Sequence, residues 1–168
     1  MHALYLLSVW VHILAAIVWL GGMLFLVLVV VPWLRKGARA DAALLLRETG
    51  RRFRNVSWTC FVLLVITGAF NLWVRGVRLS NFVRPEWLKS PFGKLILVKL
   101  GLFGLMLIVS GFHDLVVGPR ATTAIAADAR STQAQIERRR ASLLGRLNVA
   151  LALILVAVGV MLVRGVPW

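Results

Sequence analysis

The apolar stretches of this sequence contain only a few polar side chains, and those are of types that bind metals and cofactors. His12 lies in the first stretch and Lys99 in the third. Thr67 and Asn71, four residues apart in the second stretch, share one face of a helix. In antiparallel helices all four side chains would lie in the same third of a membrane. The sequence therefore predicts a cofactor-binding cluster of His12, Lys99, Thr67 and Asn71, since intramembrane polar groups seek partners.

Further potential ligands lie towards the opposite end of the same stretches. They are His113, Met23 and Cys60, with Asp114 and Asn148 nearby. Copper(I) prefers thiolate and thioether ligands and accepts imidazole. We therefore predict His12, His113, Met23 and Cys60 as metal-binding residues. His12 and His113 would lie about 15 Å apart by helix rise, which is too far to share one ion.

These residues also have purely structural interpretations. His12 would hydrogen-bond a neighbouring helix and contribute only packing. Lys99, about five residues from the outer end of its stretch, would extend its amine to the membrane surface. Asp114 would form an ion pair with Arg120 at the end of the third helix. The sequence alone leaves both interpretations open.

The elements that position these residues are four long apolar segments. Hydrophobic residues make up 60% of the chain, which is more than a soluble protein of 168 residues needs to form its core. A helix crosses the hydrocarbon core with about 20 apolar residues. The segments run over about 4–32, 56–74, 95–117 and 147–163. The predicted fold is all-α: an integral membrane four-helix bundle running up-down-up-down, in a single transmembrane domain over 1–168.

The charge distribution predicts the orientation of this bundle. The formal net charge is +14. Thirteen basic residues lie in the first and third connections, against six in the second connection and near the end of the chain. The positive-inside rule then puts both termini outside and the basic connections in the cytoplasm, against anionic headgroups of the lipid bilayer. Because the basic residues form no aromatic-rich face, we predict no nucleic acid partner.

The connections and one glycine face give further expectations. In the first connection Asp41 is predicted to cap a short helix that stops at Gly50, and residues 122–140 are predicted to form an interfacial or extended helix. Trp168 is expected in an outer aromatic belt. Glycines recur every seven residues at Gly104, Gly111 and Gly118. Such a face favours close packing, here within a homo-oligomer or a larger membrane complex.

Several classes of chemistry lack the residues that they need. The sequence shows no nucleophile with a base, no carboxylate pair and no phosphate-binding loop, so we predict no catalytic residues. Cys60 is the only cysteine, which excludes an intrachain disulfide and a CxxCH haem attachment.

An ordered set of motifs resembles the CopD (copper resistance protein D) family of bacterial inner-membrane proteins. The set comprises the stretch from His12 through Trp19, Gly21-Gly22 and Met23 to Phe25, then Gly50 to Arg54, Thr67-Gly68, Ser90 to Gly93, Lys99, His113-Asp114, Gly118 to Arg120 and Gly145 to Asn148. The resemblance covers essentially the whole chain and implies copper uptake or handling at the bacterial inner membrane. The chain is more distantly similar to the HemJ family of haem-associated protoporphyrinogen oxidases, which implies haem binding through His12 and Lys99.

Three functions follow as hypotheses. The first is a copper-handling membrane protein. The second is a membrane redox protein that binds haem b with His12 as an axial ligand, since haem needs such ligands inside a bundle. The third is a non-catalytic accessory subunit of a larger complex. The sequence leaves copper or haem b undecided as the cofactor.

Overall fold

The computed structural model describes residues 1–36 and 42–165, and within these ranges the chain is helical with no strand. Four helical segments are long and apolar enough to cross a membrane: His2–Trp33, Arg47–Val74, Pro91–Ala127 and Thr132–Arg164. The predicted all-α four-helix architecture is therefore confirmed. The predicted cap at Asp41 and the belt position of Trp168 lie outside the described residues.

The first span changes its helical pitch near its inner end. Helix α1 (His2–Phe25) continues through a π turn (Leu26–Val30) into helix α2 (Val31–Lys36). The amide of Val31 donates to the carbonyl of Leu26, five residues back. Pro32 has no amide hydrogen and cannot continue the α-helical ladder, so the wider turn precedes it.

The second span belongs to one uninterrupted helix, α3 (Ala42–Val74). The prediction of a short helix ending at Gly50 is wrong, because α3 passes through this glycine. A helical glycine costs only about 1 kcal/mol relative to alanine. Glu48 accepts hydrogen bonds from Arg51 and Arg52 at 3.0 and 2.9 Å, and these pairs bridge the glycine along one face.

Two short elements form the connection between the second and third spans. A 3₁₀ turn (Leu79–Val83) leads into helix α4 (Pro85–Lys89), and Ser90 begins helix α5 (Pro91–Phe112). The Ser90 hydroxyl accepts a hydrogen bond from the Gly93 amide at 3.0 Å, which satisfies a free donor of the first turn.

The third span repeats the feature of the first. After α5 comes a π turn (His113–Val117) and then helix α6 (Gly118–Ala127), with Pro119 just inside α6. Helix α7 (Thr132–Arg164) begins after a break at 128–131 and is capped by Ser131. Residues 122–140 are thus two helices rather than one, since Asp128 adopts an extended conformation.

The bundle consists of two helix pairs joined by aromatic side chains. Helix α1 packs most closely against α3, and α5 against α7. The Phe61 ring of α3 lies 5.2 Å from Trp19 of α1 and 5.5 Å from Trp58 of its own helix, measured between centroids. It also lies 6.3 Å from Phe103 of α5, and this contact joins the two pairs. Tilted and edge-on contacts of this kind add to the packing energy.

The glycine face of the third span is not filled by a neighbouring backbone. A methyl group at Gly104 would meet nothing within 4 Å, and one at Gly111 would only touch the Trp58 ring at 4.0 Å. One at Gly118 would meet the carbonyl of His113 in its own span. Among the described residues, these glycines therefore do not mediate close helix packing.

Candidate functional site

His12 is held by the neighbouring helix. Its Nδ1 lies 2.7 Å from the hydroxyl oxygen of Thr67, and its ring lies against the bare face of Gly68, where a Cβ would be 3.4 Å from Cε1. Ser8, one turn before His12, donates to the Thr67 carbonyl at 3.5 Å. These contacts fix the register of α1 on α3 at the level of His12.

The hydrogen bonds around Thr67 assign the tautomer of His12. The Thr67 hydroxyl has one hydrogen, and it donates this hydrogen to the carbonyl of Leu63. The same oxygen can then only accept from His12, so the ring proton is on Nδ1. The Nε2 atom of His12 is left with a free lone pair, the state in which imidazole binds a metal.

Lys99 extends into the bundle towards α7. A Cβ at Gly159 would lie 3.8 Å from the Lys99 Nζ, so the bare surface of this glycine makes room for the amine. Lys99 is close enough to His12 for its ammonium to act electrostatically on the imidazole. Near the outer end of α3, the Asn71 Oδ1 is buried and has no hydrogen-bond partner within residues 1–36 and 42–165.

Twelve of the described residues that face the core form three layers, each with one residue from α1, α3, α5 and α7. The outer layer consists of His12, Thr67, Lys99 and Gly159. The middle layer consists of Trp19, Cys60, Met106 and Ala152. The inner layer consists of Met23, Ser57, Ser110 and Asn148. Along each helix the middle layer is seven residues from the outer one and the inner layer ten or eleven. These spacings place the two layers about 10 Å and 16 Å further into the membrane.

The middle layer is tightly packed and rich in sulfur. Met106 is fully buried, Cys60 is 5% exposed, and both belong to one continuous core cluster with Trp19. The sequence predicts Cys60 at the same inner end of the bundle as Met23 and His113. The helix register instead puts Cys60 level with Trp19, nearer the centre of the membrane, because each lies seven residues inward of the Thr67–His12 contact that fixes α3 on α1.

The inner layer contains a polar contact between helices α5 and α7. The Asn148 side-chain amide donates to the Ser110 hydroxyl at 3.1 Å, and both residues are buried. The Asn148 Oδ1 is also buried and has no hydrogen-bond partner in the described part of the chain. Ser57 is buried on α3 at the same depth. Unsatisfied hydrogen-bonding capacity is costly inside a membrane, so a polar group that reached this layer would be favoured there.

His113 and Asp114 lie at the inner end of the third span. The His113 Nδ1 is 3.0 Å from an Asp114 carboxylate oxygen, and Arg54 reaches the Asp114 carbonyl at 3.5 Å. The predicted ion pair of Asp114 with Arg120 is absent among the described residues, and the Asp114 carboxylate contacts the ring of His113 instead. Both side chains lie within the π turn, a feature often found at functional sites.

The structure thus joins some of the predicted site residues and separates others. His12 and Thr67 are in contact, with Lys99 in the same layer. Cys60, Met23 and His113 lie at successive depths. In the described part of the chain, no three His, Cys, Asp or Glu side chains form a metal-binding group. Sequence reasoning missed Gly159 and Ala152, although their spacing to Asn148 repeats that of the other helices.

Comparison with known proteins identifies the family. The family model described as CopD, copper resistance protein D, matches residues 47–162, which include α5 and most of α3 and α7 but not α1. An uncharacterized protein from Aquifex aeolicus (strain VF5) is 32% identical over 157 residues, which is 92% of each chain. No solved structure matches. With four spanning helices and a family match over most of its length, this chain is a multi-pass membrane protein that belongs to the copper resistance protein D family.

Proposed function

We propose that this protein handles copper in the bacterial inner membrane by passing copper(I) between ligands along the three layers. One observation carries the proposal: a side chain that copper(I) accepts is present at every depth. These side chains are His12 in the outer layer, Cys60 and Met106 in the middle layer, Met23 in the inner layer and His113 at the inner end. The family of the chain supports the same metal.

The spacing favours successive sites over one permanent site. Layers about 6 to 10 Å apart cannot contribute to a single coordination sphere, since copper ligands bind within about 2 to 2.5 Å. Movement through a membrane requires sites that bind well enough to be occupied and weakly enough to be left. One or two ligands per layer, each of a type that copper(I) accepts, meet both conditions.

His12 is the proposed first ligand, and Lys99 limits how tightly it holds the ion. The free Nε2 of His12 binds copper(I), and the hydrogen bond to Thr67 keeps the ring oriented. The ammonium of Lys99 in the same layer repels a cation. We therefore expect Lys99→Leu, which removes the charge without adding a thioether ligand, to tighten copper binding at His12. A loss of copper in this variant would instead make Lys99 a ligand.

The orientation is part of the proposal. Thirteen basic residues in the first and third connections, against six on the other side, favour both termini outside and an entry site that faces the periplasm. Reporter fusions after Arg39 and after Trp168 should report opposite sides of the membrane. The same side for both fusions would overturn the proposed orientation.

Anaerobic titration with a coloured copper(I) chelator tests the copper proposal directly. The purified wild-type protein should compete with the chelator for at least one equivalent of copper(I). His12→Ala should weaken this binding by about 10- to 100-fold. The matched control is His2→Ala, which removes an exposed histidine outside the layers and should change nothing. Equal binding by all three proteins would remove His12 from the proposal.

Haem b is the second candidate, and the fixed tautomer of His12 favours it. An axial histidine also needs its Nε2 free and its Nδ1 hydrogen-bonded. Space argues against it, because the closely packed Trp19 and Met106 fill the core just inward of His12. A visible absorption spectrum separates the two candidates: a Soret band that is lost in His12→Ala would favour haem.

A further inference from the structure

Two clefts share a wall at the inner end of the bundle, between α6 and α7. Their volumes are about 410 and 330 Å³, and both are lined by Arg120 and Glu137. The first is completed by small and polar residues of α6, and the second by the apolar side chains of Phe112, Leu143 and Leu144. Together the clefts form a groove with one polar half and one apolar half.

Glu137 has a buried carboxylate, and one of its two oxygens accepts no hydrogen bond from the described residues. The residue is 4% exposed. Its Oε1 accepts hydrogen bonds from Gln133 at 3.3 Å and from Arg140 at 3.0 Å. Its Oε2 is buried and has no partner among the described residues. A buried charged oxygen without a donor is costly, so a ligand that brings a donor would be favoured here.

The charges around Glu137 are arranged for a ligand with both signs. Arg120 lines both clefts and Arg140 lines the second, and both arginines are exposed. Guanidinium groups are well suited to bind phosphate. Beside them, Phe112 and Leu143 are 53% and 55% exposed and offer an apolar surface.

The depth of the groove matches the headgroup region of a bilayer. Along α7, Glu137 is 22 residues from Gly159 of the outer layer, or about 33 Å. The outer layer itself lies about 12 Å, or eight residues, below Leu4, where the first apolar segment begins. A bilayer with its headgroups is about 40–45 Å thick, so the groove lies at the opposite headgroup layer.

We propose that this groove binds one molecule of phosphatidylethanolamine. Its phosphate lies between Arg120 and Arg140, its ammonium donates to the Oε2 of Glu137, and an acyl chain runs along Phe112 and Leu143. Each part of the lipid meets a matching surface. Phosphatidylcholine has the same phosphate, but its methylated ammonium has no hydrogen to donate. Phosphatidylglycerol has the phosphate without a positive group for Glu137.

Native mass spectrometry of the detergent-solubilised protein, with equimolar mixtures of the three lipids, tests the proposal. Wild type should retain phosphatidylethanolamine about tenfold better than phosphatidylcholine, since one charge-assisted hydrogen bond distinguishes them. Glu137→Gln should abolish that preference. Arg120→Gln should lower retention of all three lipids about fivefold, because the phosphate is common to them. Arg120 is exposed, so this variant should fold even if Glu137→Gln does not.

Arg138→Gln is the matched control, because Arg138 is an exposed arginine of α7, next to Glu137, that does not line the groove. It should retain lipid as wild type does. Equal retention of phosphatidylethanolamine and phosphatidylcholine by wild type would overturn the role of Glu137. A preference for phosphatidylglycerol would mean that net charge selects the lipid and would overturn the proposed ligand. Equal losses in Arg138→Gln and Arg120→Gln would mean that no specific site exists.

Discussion

The Nδ1 of His12 and the hydroxyl of Thr67 lie 2.7 Å apart, and this contact links the first two spans at the level of the proposed entry site. It fixes the ring of His12, its tautomer and the register of α1 on α3. Thr67, which is not itself one of the proposed copper ligands, therefore determines whether the Nε2 of His12 is available to bind copper(I).

Substitutions of Thr67 test this relationship. Thr67→Val keeps the shape of the side chain but removes the oxygen that accepts from His12. We expect its copper(I) affinity to fall by about 10- to 100-fold, the usual effect of losing such a supporting contact. Thr67→Ser keeps the oxygen and should bind as wild type does in the same chelator titration. Equal affinities of the valine and serine variants would contradict the assigned role.

The sulfur atoms of the middle layer should matter for copper movement and not for folding. Met106→Leu removes a thioether at nearly constant volume, a change that usually costs less than about 1.5 kcal/mol in stability. Copper flux into proteoliposomes should fall roughly tenfold if the lost ligand contributed about 1.4 kcal/mol. Met161→Leu, outside the layers, is the control. Unchanged flux in both variants would remove Met106 from the path.

Two adjacent glycines in α1 provide a matched pair for packing. A Cβ at Gly22 would lie 2.5 Å from the Cε2 of Phe53, whereas one at Gly21 would meet nothing within 4 Å. Gly22→Ala should lower the free energy of unfolding by about 1–3 kcal/mol because the ring must shift. Gly21→Ala should be neutral or stabilising by up to about 1 kcal/mol.

Unfolding in mixed micelles with increasing dodecyl sulfate measures both glycine variants. A second substitution, Phe53→Leu, should restore much of the stability that Gly22→Ala loses. If both single variants were equally stable, the close approach of Phe53 to α1 would be wrong.

The contact between Asn148 and Ser110 should couple α5 to α7 energetically. A double-mutant cycle with Asn148→Leu and Ser110→Ala isolates their hydrogen bond from the other effects of each change. Interhelical hydrogen bonds in membranes contribute about 0.6 kcal/mol on average and rarely more than about 1.7. We expect a coupling energy in that range, measured by the same unfolding method. A coupling near zero would mean that the 3.1 Å contact contributes nothing to stability.

The sequence was sufficient to predict the membrane-spanning segments and the helix faces that turn towards the core. Long apolar segments predict helices by length alone, and Cys60, Thr67, Met106 and Ser110 occupy faces recognisable from their spacing. The continuation of α3 through Gly50 was missed because one glycine costs less than the helix around it gains. The layers were missed because register between helices depends on contacts between distant residues, such as Lys99 beside Gly159.

The two π turns have a consequence for how this chain varies among its relatives. Leu26–Val30 and His113–Val117 each hold hydrogen bonds that span one more residue than an α-helix requires. One residue can be deleted from either turn with the α-helical ladder restored on both sides, so these are the positions where a spanning helix tolerates a change in length. Relatives whose first or third span is one residue longer or shorter should carry that difference within these turns. An alignment without a gap there would pair His113 with the wrong residue of such a relative.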